Sequence, residues 1–229
     1  RLIAVSDGVN ADLCQLARLP YAQVITVRNP VLDDRMRAQA AEPLDHPWFG
    51  AEMAPVIVSV GRLSHSKDYA TLLQAVALMT TKTARLVILG EGGDRPVLEQ
   101  QIIDLQLEDR VLLPGFVENP FPWMRAAQVF ALSSVIEGSG NVLVEAMALG
   151  TPVVSTDCPS GPAEILGGGR YGSLVPMKDA PALANALDKA LGQPCDAELL
   201  RDATRAFEAS TAARHYLQVM NIHLADEAH

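Results

Sequence analysis

The sequence predicts an α/β protein with a doubly wound, Rossmann-like parallel sheet. Short apolar runs alternate with helical patterns along most of the 229 residues, and such runs are typical of strands that helices cover on both faces. Glycine-rich or polar turns follow several of these runs. Strands are predicted at 56–60, 85–89, 111–113, 129–132, 152–155 and near 171–174.

Helical patterns fill the intervals between these strands. They lie at 67–79, 96–105, 121–126, 141–149 and 162–166, with closing helices at 180–191 and 197–220. Because parallel crossovers are right-handed, the loops that follow the strands are expected to meet at the carboxyl edge of the sheet. Ligands bind at that edge in such folds.

Three segments can be separated by pattern. Residues 56–195 form the Rossmann-like domain, which we expect to bind a nucleotide, and 196–229 form its closing helices. Residues 31–55 show little periodicity and contain several prolines. This middle segment is therefore predicted to be a linker or a surface loop.

Composition excludes several classes of protein. The formal net charge of −9 disfavours a nucleic-acid partner. Cys14, Cys158 and Cys195 form no Cys-x2-Cys pair, which indicates a reducing compartment and no zinc site. No apolar run is long enough to cross a bilayer and no signal peptide opens the chain, so we expect a cytoplasmic location. The start at Arg1, inside an apolar run, suggests a piece of a longer protein.

The most informative motif is Glu137-Gly-Ser-Gly-Asn-Val-Leu-Val-Glu145, a glycine turn between a predicted strand and a helix. Free backbone N–H groups at a helix start suit a phosphate. The two flanking carboxylates would repel phosphate, so they are expected to accept hydrogen bonds from hydroxyl groups, such as those of a sugar and a ribose. The candidates between them are Gly138, Ser139, Gly140, Asn141 and Val142.

A second strand-to-helix corner carries Gly61, Arg62 and Lys67. The two cations bracket a short polar loop where a diphosphate could bind, together with helix N–H groups. The alternative is that both are solvated surface charges. No Asp-x-Asp occurs, so a divalent-metal clamp lacks its usual ligands and metal-independent binding is expected. The positive charge then comes from Arg62, Lys67 and the helix start at Asn141.

Taken together, these motifs resemble the donor-binding half of the group 1, family 4 type, retaining glycosyltransferases. Those enzymes have the two-lobed GT-B fold, and this chain is similar to their C-terminal lobe. The similarity spans residues 1 to 191 in the order of the family's motifs. The matching segments are Gly61-Arg62, Lys67, 86–92, 111–117, 137–145, 150–154 and 157–162 with Glu164.

The resemblance implies roles for the site residues. Glu137 is expected to hold hydroxyl groups of the transferred sugar and Glu145 the ribose. Ser139 departs from the family's usual Phe, which puts the shape of the sugar pocket in doubt. The implied catalytic residues are Glu137, Arg62 and Lys67, with the cations stabilising the departing diphosphate.

The nucleotide is expected next to Gly90 and Glu91, with its base read by backbone groups near Phe116 and Val117. A structural Phe116 that fills the core is the alternative for that side chain. Residues 1–30 would then be the end of an amino-terminal lobe and a crossover. By resemblance, a strand at 2–5 and a helix at 10–19 belong to that lobe, and 24–27 enters the present one.

The implied function is transfer of a hexose or N-acetylhexosamine from a nucleoside diphosphate sugar, with a weak preference for UDP, and no cofactor. The acceptor is a glycan, lipid or polysaccharide bound by the missing amino-terminal lobe, which would also hold a catalytic histidine. The fragment alone is therefore expected to be inactive, and the full-length protein to be peripheral to the membrane. Two alternatives stay open: a sugar-nucleotide epimerase of related fold, and a non-catalytic donor-binding lobe that works with a partner chain.

Overall fold

A computed structural model describes residues 2–50 and 53–222, which form eight strands and ten α-helices. The strands are β1 Leu2–Ala4, β2 Val24–Thr26, β3 Val56–Val60, β4 Arg85–Leu89, β5 Val111–Gly115, β6 Val129–Leu132, β7 Val153–Thr156 and β8 Ser173–Val175. The helices are α1 Asp7–Ala17, α2 Asp34–Ala40, α3 Tyr69–Leu78, α4 Arg95–Asp104, α5 Phe121–Ala126, α6 Asn141–Ala148, α7 Pro162–Ile165, α8 Ala180–Gly192, α9 Ala197–Ala203 and α10 Ala209–Met220.

Six of the strands form one parallel sheet in the order β5-β4-β3-β6-β7-β8. The strand order therefore reverses between β3 and β6, which are neighbours in the sheet but not in the chain. In doubly wound sheets a crevice opens at such a switch point, at the carboxyl ends of the two strands. The loops that follow β3 and β6 line this crevice.

Two apolar layers cover the faces of this sheet. One layer joins α3, α4 and α8 to the sheet through side chains such as Leu72, Leu98 and Leu183. The other joins α2, α5, α6 and α9 to the opposite face, with the fully buried Phe130 in its middle. Burial of this apolar surface is the main force that holds the strand ends, and with them the loops of the crevice, in place.

The predicted parallel α/β sheet is confirmed, with some strands and helices at their predicted bounds and others shifted by one or two residues at an end. One correction concerns 31–55, which is not simply a linker or surface loop because it contains α2. The Asp33 carboxylate caps this helix by accepting from the Met36 N–H at 2.7 Å. Leu32, Met36 and Ala40 are buried against the domain.

The closing helix predicted at 197–220 is interrupted. α9 and α10 are separated by a 3₁₀ turn, Arg205–Phe207. The break follows from long-range bonds: the Phe207 carbonyl accepts from the N–H groups of Val31 at 3.0 Å and Leu32 at 3.1 Å, and Ala209 N–H donates to the Leu32 carbonyl at 2.8 Å. A continuous helix would use these groups internally. The predicted segment beyond 222 lies outside the described residues.

The amino-terminal strand and helix were predicted. Residues 24–27 were expected to enter the larger domain, and this prediction is wrong. β2 pairs with β1 in a separate two-stranded parallel sheet and not with the six-stranded sheet. With α1, these strands form a small β-α-β unit over residues 2–26. The helix begins earlier than predicted because the Ser6 hydroxyl caps it, accepting from the Val9 N–H at 3.1 Å.

The loops after β3 and β4 contact each other at Gly90, where there is no room for a side chain. Its φ is +150°, and a Cβ there would lie 2.0 Å from the Gly61 carbonyl oxygen. We expect Gly90→Ala to destabilise the fold by at least about 2 kcal/mol in denaturant unfolding. Gly93→Ala is the matched control, because no atom lies within 4 Å of a Cβ built on Gly93. Equal stability of the two variants would contradict this account.

Candidate functional site

The loops after β3 and β6 are bonded to each other at the switch point. The Val135 N–H donates to the Ser66 carbonyl at 2.9 Å, and the Ser133 hydroxyl donates to the Lys67 carbonyl at 2.7 Å. Lys67 itself ends a short 3₁₀ helix, His65–Lys67. The backbone around Lys67 is therefore held against the end of β6.

An ion pair lies on top of this backbone contact. Lys67 Nζ is 2.5 Å from Glu137 Oε1, and the Ser134 hydroxyl donates to the same oxygen at 2.6 Å. The two charged side chains are only 18% and 11% exposed. An ion pair with so little exposure is screened less by solvent than a surface pair. The sequence predicted that Lys67 and Glu137 lie at the same edge of the sheet, but it did not predict that they form an ion pair.

The glycine loop leads directly into the start of α6. Gly140 adopts a left-handed conformation with φ 71° and no side chain caps the helix. Among the described residues, no acceptor takes the backbone N–H groups of 138–142. Unsatisfied N–H groups at a helix start carry partial positive charge and attract anions.

The residues of the glycine loop, 138–142, line a cavity of about 370 Å³. Its lining joins the glycine loop to the ion pair and to the amino-terminal segment. The lining residues are Val5, Asn29, Lys67, Glu137, Gly138, Ser139, Gly140, Asn141 and Val142. Asn29 Nδ2 donates to Asn141 Oδ1 at 3.1 Å. Seven of the predicted site residues thus lie in one cavity, hereafter the glycine-loop cavity, whereas Val5 and Asn29 were not predicted.

The start of α3 is not free, contrary to the expectation that its N–H groups bind a diphosphate. Asp68 caps it: the carboxylate accepts from the Thr71 hydroxyl at 2.7 Å and from the Thr71 N–H at 3.4 Å. A carboxylate at this position would repel phosphate. At this crevice, in the part of the chain that the structure describes, the start of α3 therefore carries a capping carboxylate and the start of α6 does not.

A second cavity, of about 450 Å³, adjoins the Gly61 loop. We call it the nucleobase cavity, after the role that the sequence predicts for Phe116 and Val117. The predicted residues that line it are Gly61, Arg62, Gly90, Glu91, Phe116 and Val117. The Phe116 side chain is 77% exposed, so the alternative that it fills the core is wrong. Arg62 is also exposed, and its guanidinium has no partner in the described part of the chain.

Glu91, in the nucleobase cavity, is held by Arg95. The guanidinium of Arg95 donates to both carboxylate oxygens, at 2.7 and 2.8 Å, and this pairing lowers the pKa of Glu91. The paired carboxylate stays ionised and keeps a fixed orientation at the cavity wall. Gly115, which precedes Phe116 in the chain, has a φ of +95°, a conformation that favours glycine, and a Cβ there would lie 2.9 Å from Glu91 Oε1.

Glu145 lies on α6, one turn after Asn141, and lines neither cavity. Burial raises its pKa to about 7. No hydrogen bond or ion pair involves its carboxylate within residues 2–50 and 53–222. Glu145 is partly exposed, so its unpartnered carboxylate is free to accept from a hydrogen-bond donor that enters the site.

Three further loop residues line neither cavity. Ser160 packs against Gly8, and Gly161 packs against the Ser139 carbonyl, where a Cβ would lie 2.6 Å from the oxygen. His65, in the loop after β3, is exposed. In the described part of the chain, no three His, Cys, Asp or Glu side chains come together as a metal site, and no helix is long and apolar enough to cross a membrane.

Comparison with known proteins identifies the family. The chain belongs to the glycosyl transferases group 1, because the family model with that description matches residues 54–193. A segment of 131 residues is 42% identical to the N-acetylgalactosamine-N,N'-diacetylbacillosaminyl-diphospho-undecaprenol 4-alpha-N-acetylgalactosaminyltransferase of Campylobacter jejuni. The match covers 57% of this chain and 36% of that protein, so the chain spans about a third of this relative's length.

Solved structures confirm the fold class. The lipopolysaccharide outer core galactosyltransferase WaaB, in its apo form, superposes with a TM-score of 0.79 at 22% identity, over 96% of this chain and 61% of that one. Anabaena HepE in complex with UDP and glucose gives 0.76 at 23% identity, over 96% and 62%. The α/β fold with its parallel sheet thus matches GT-B glycosyltransferases, whereas the roles assigned to individual site residues stay predictions.

The raised pKa of Glu145 makes folding stability depend on pH. Ionised Glu145 is disfavoured in the folded state, so folding stability falls as the pH rises from about 4.5, where Glu145 ionises in the unfolded chain, to about 7, where it ionises in the folded protein, and the loss is complete above that pH. We expect Glu145→Gln to gain roughly 3 kcal/mol over the wild type between about pH 4.5 and pH 8.5 in urea unfolding. Glu108→Gln, at an exposed position, is the control. A Glu145→Gln difference that does not change with pH would contradict this explanation.

Proposed function

We propose that this chain is the donor-binding part of a retaining glycosyltransferase that uses a nucleoside diphosphate sugar. One observation carries the proposal: the uncapped start of α6 opens into a cavity that also holds the Lys67–Glu137 pair. Free N–H groups and a cation suit a diphosphate, while a carboxylate in the same cavity suits sugar hydroxyls. The family membership and the UDP named in the HepE structure support the same assignment.

Lys67 can serve the diphosphate without leaving Glu137. An ammonium group has three N–H donors, and Glu137 takes one of them. The other two can contact phosphate oxygens as negative charge develops on the departing diphosphate. Because the ion pair already fixes the ammonium, little reorganisation is needed, and such fixed donors lower barriers by a few kcal/mol each.

The nucleotide extends from the glycine-loop cavity into the nucleobase cavity. Exposed Phe116 can cover one face of the base, and Arg62 can add charge at the phosphate end. Glu145 lines neither cavity but lies one turn into α6, and its partly exposed carboxylate is proposed to accept from a ribose hydroxyl where the nucleotide passes between the two cavities. We favour UDP as the nucleotide and a hexose or N-acetylhexosamine as the sugar. Binding is proposed to be metal-independent, because cationic side chains and N–H groups supply the positive charge.

The acceptor is proposed to be a glycan, lipid or polysaccharide bound by sequence beyond these 229 residues. The chain covers only part of its relatives' length, 36% of the Campylobacter protein and 61% of WaaB. This chain alone is then expected to bind donor without transferring sugar. A peripheral membrane association and a cytoplasmic location are part of the same proposal. The free thiols of Cys14, Cys158 and Cys195 support a reducing compartment.

Glu137 is expected to bind the sugar, and Glu145 is expected to bind the nucleotide. Glu145→Gln should weaken UDP and UDP-glucose alike, by about tenfold, because a ribose hydroxyl loses a charged acceptor. Glu137→Gln should weaken UDP-glucose by a similar factor and leave UDP unchanged or tighter, since Lys67 is then unpaired. Titration calorimetry with both ligands, in excess EDTA, measures these effects.

Three outcomes would count against the assignment. Equal effects of the two variants on both ligands would refute the division of roles. Lower melting temperatures without ligand selectivity would mean that the carboxylates only stabilise the fold. Wild-type binding that EDTA abolishes and Mg²⁺ restores would refute metal-independent binding.

A further inference from the structure

The start of α1 is filled by a carboxylate from a distant part of the chain. Glu164 Oε1 accepts from the Gly8 N–H at 2.8 Å, and Oε2 accepts from the Asp7 N–H at 2.9 Å. The guanidinium of Arg28 donates to Glu164 and, at 3.0 Å, to the Asp7 carboxylate. We call Asp7, Gly8, Arg28 and Glu164 the α1 junction.

The junction joins two bodies that share no sheet. α1 packs on the two-stranded sheet, whereas Glu164 lies on α7 of the larger domain. Close backbone contact accompanies the polar bonds, because a Cβ on Gly8 would lie 2.7 Å from Ser160 Oγ and 2.9 Å from Ser160 Cα. Glu164 is only 20% exposed and takes three hydrogen bonds, so its removal would leave two helix N–H groups without their acceptor and Arg28 with Asp7 as its one remaining partner among the described residues.

The junction also reaches the glycine-loop cavity. The Ser6 hydroxyl, which caps α1, donates to the Gly138 carbonyl at 3.2 Å. Asn29, next to Arg28 in the chain, donates to Asn141. Gly161, three residues before Glu164, packs against the Ser139 carbonyl. Three positions of the glycine loop are therefore supported by residues that the junction holds in place.

We infer that Glu164 is a positioning residue for donor binding. It does not line the glycine-loop cavity, and it acts by holding α1 and Arg28 so that Ser6 and Asn29 support the glycine loop. The inference rests on the proposed function for the identity of the ligand. The nucleobase cavity has no lining residue from 2–30, so ligands that occupy only that cavity are insensitive to the junction.

The test compares ligands that reach different cavities. In calorimetry, Glu164→Ala and Gly8→Ala are each expected to weaken UDP-glucose by about tenfold and UMP by less than about twofold. Glu164→Gln, which keeps one carbonyl acceptor, is expected to fall between wild type and Glu164→Ala. Glu198→Ala is the control, because Glu198 also lies in the first turn of a helix but is exposed.

A ligand-free measurement separates this inference from the proposed function. In ¹⁵N NMR spectra, Glu164→Ala is expected to shift the amides of 7–8 and also those of 138–142, but not those of 116–118. Unshifted amides at 138–142 would overturn the inference whatever the ligand is. An equal loss of UDP-glucose and UMP, or no loss of either, would overturn it as well. If the wild type binds neither nucleotide, the proposed function fails, and the amide shifts alone decide whether Glu164 positions the loop.

Discussion

The ion pair between Lys67 and Glu137 is the constraint on which the site depends. It bridges the loops after β3 and β6 at the point where the strand order reverses. Both side chains are largely shielded from water, and an unpartnered charge in such a place is costly. Each group thus fixes the other. One carboxylate oxygen and two ammonium N–H groups are left for a ligand, so one contact both organises the crevice and presents its charges.

In the proposed function, capping decides which helix start receives the anion. α3 and α6 begin at the same edge of the sheet, after adjacent strands. Asp68 fills the start of α3, whereas Gly140 leaves the start of α6 open. We therefore propose that a diphosphate binds at α6, beside Lys67, while Arg62 lines the nucleobase cavity. The β-α-β unit of residues 2–26 also contributes to the site. The α1 junction at Glu164 holds this unit against the larger domain, and Asn29, which follows the unit in the chain, lines the glycine-loop cavity.

How well the sequence predicted each feature depends on how local its cause is. The strands Val56–Val60 and Val129–Leu132 were predicted at their observed bounds, because unbroken apolar runs specify buried parallel strands. α2 was missed because seven residues are fewer than two helical turns and show no clear period. The break near Phe207 was missed because its cause is bonding to residues 31–32. The predicted topology put Lys67 and Glu137 at the same edge of the sheet. Their ion pair could not be predicted, because it depends on side-chain packing between segments that are distant in the sequence.

The most direct test asks whether Lys67 serves the diphosphate or only neutralises Glu137. The measurement is UDP affinity by calorimetry for the double variant Lys67→Met/Glu137→Gln, with Lys189→Met, an exposed position on α8, as control. Because the double variant leaves no unpaired charge, its melting temperature should stay close to that of the wild type. Its UDP affinity should fall by about tenfold or more, since a charge-assisted contact is lost. Wild-type UDP affinity in the folded double variant would contradict the account.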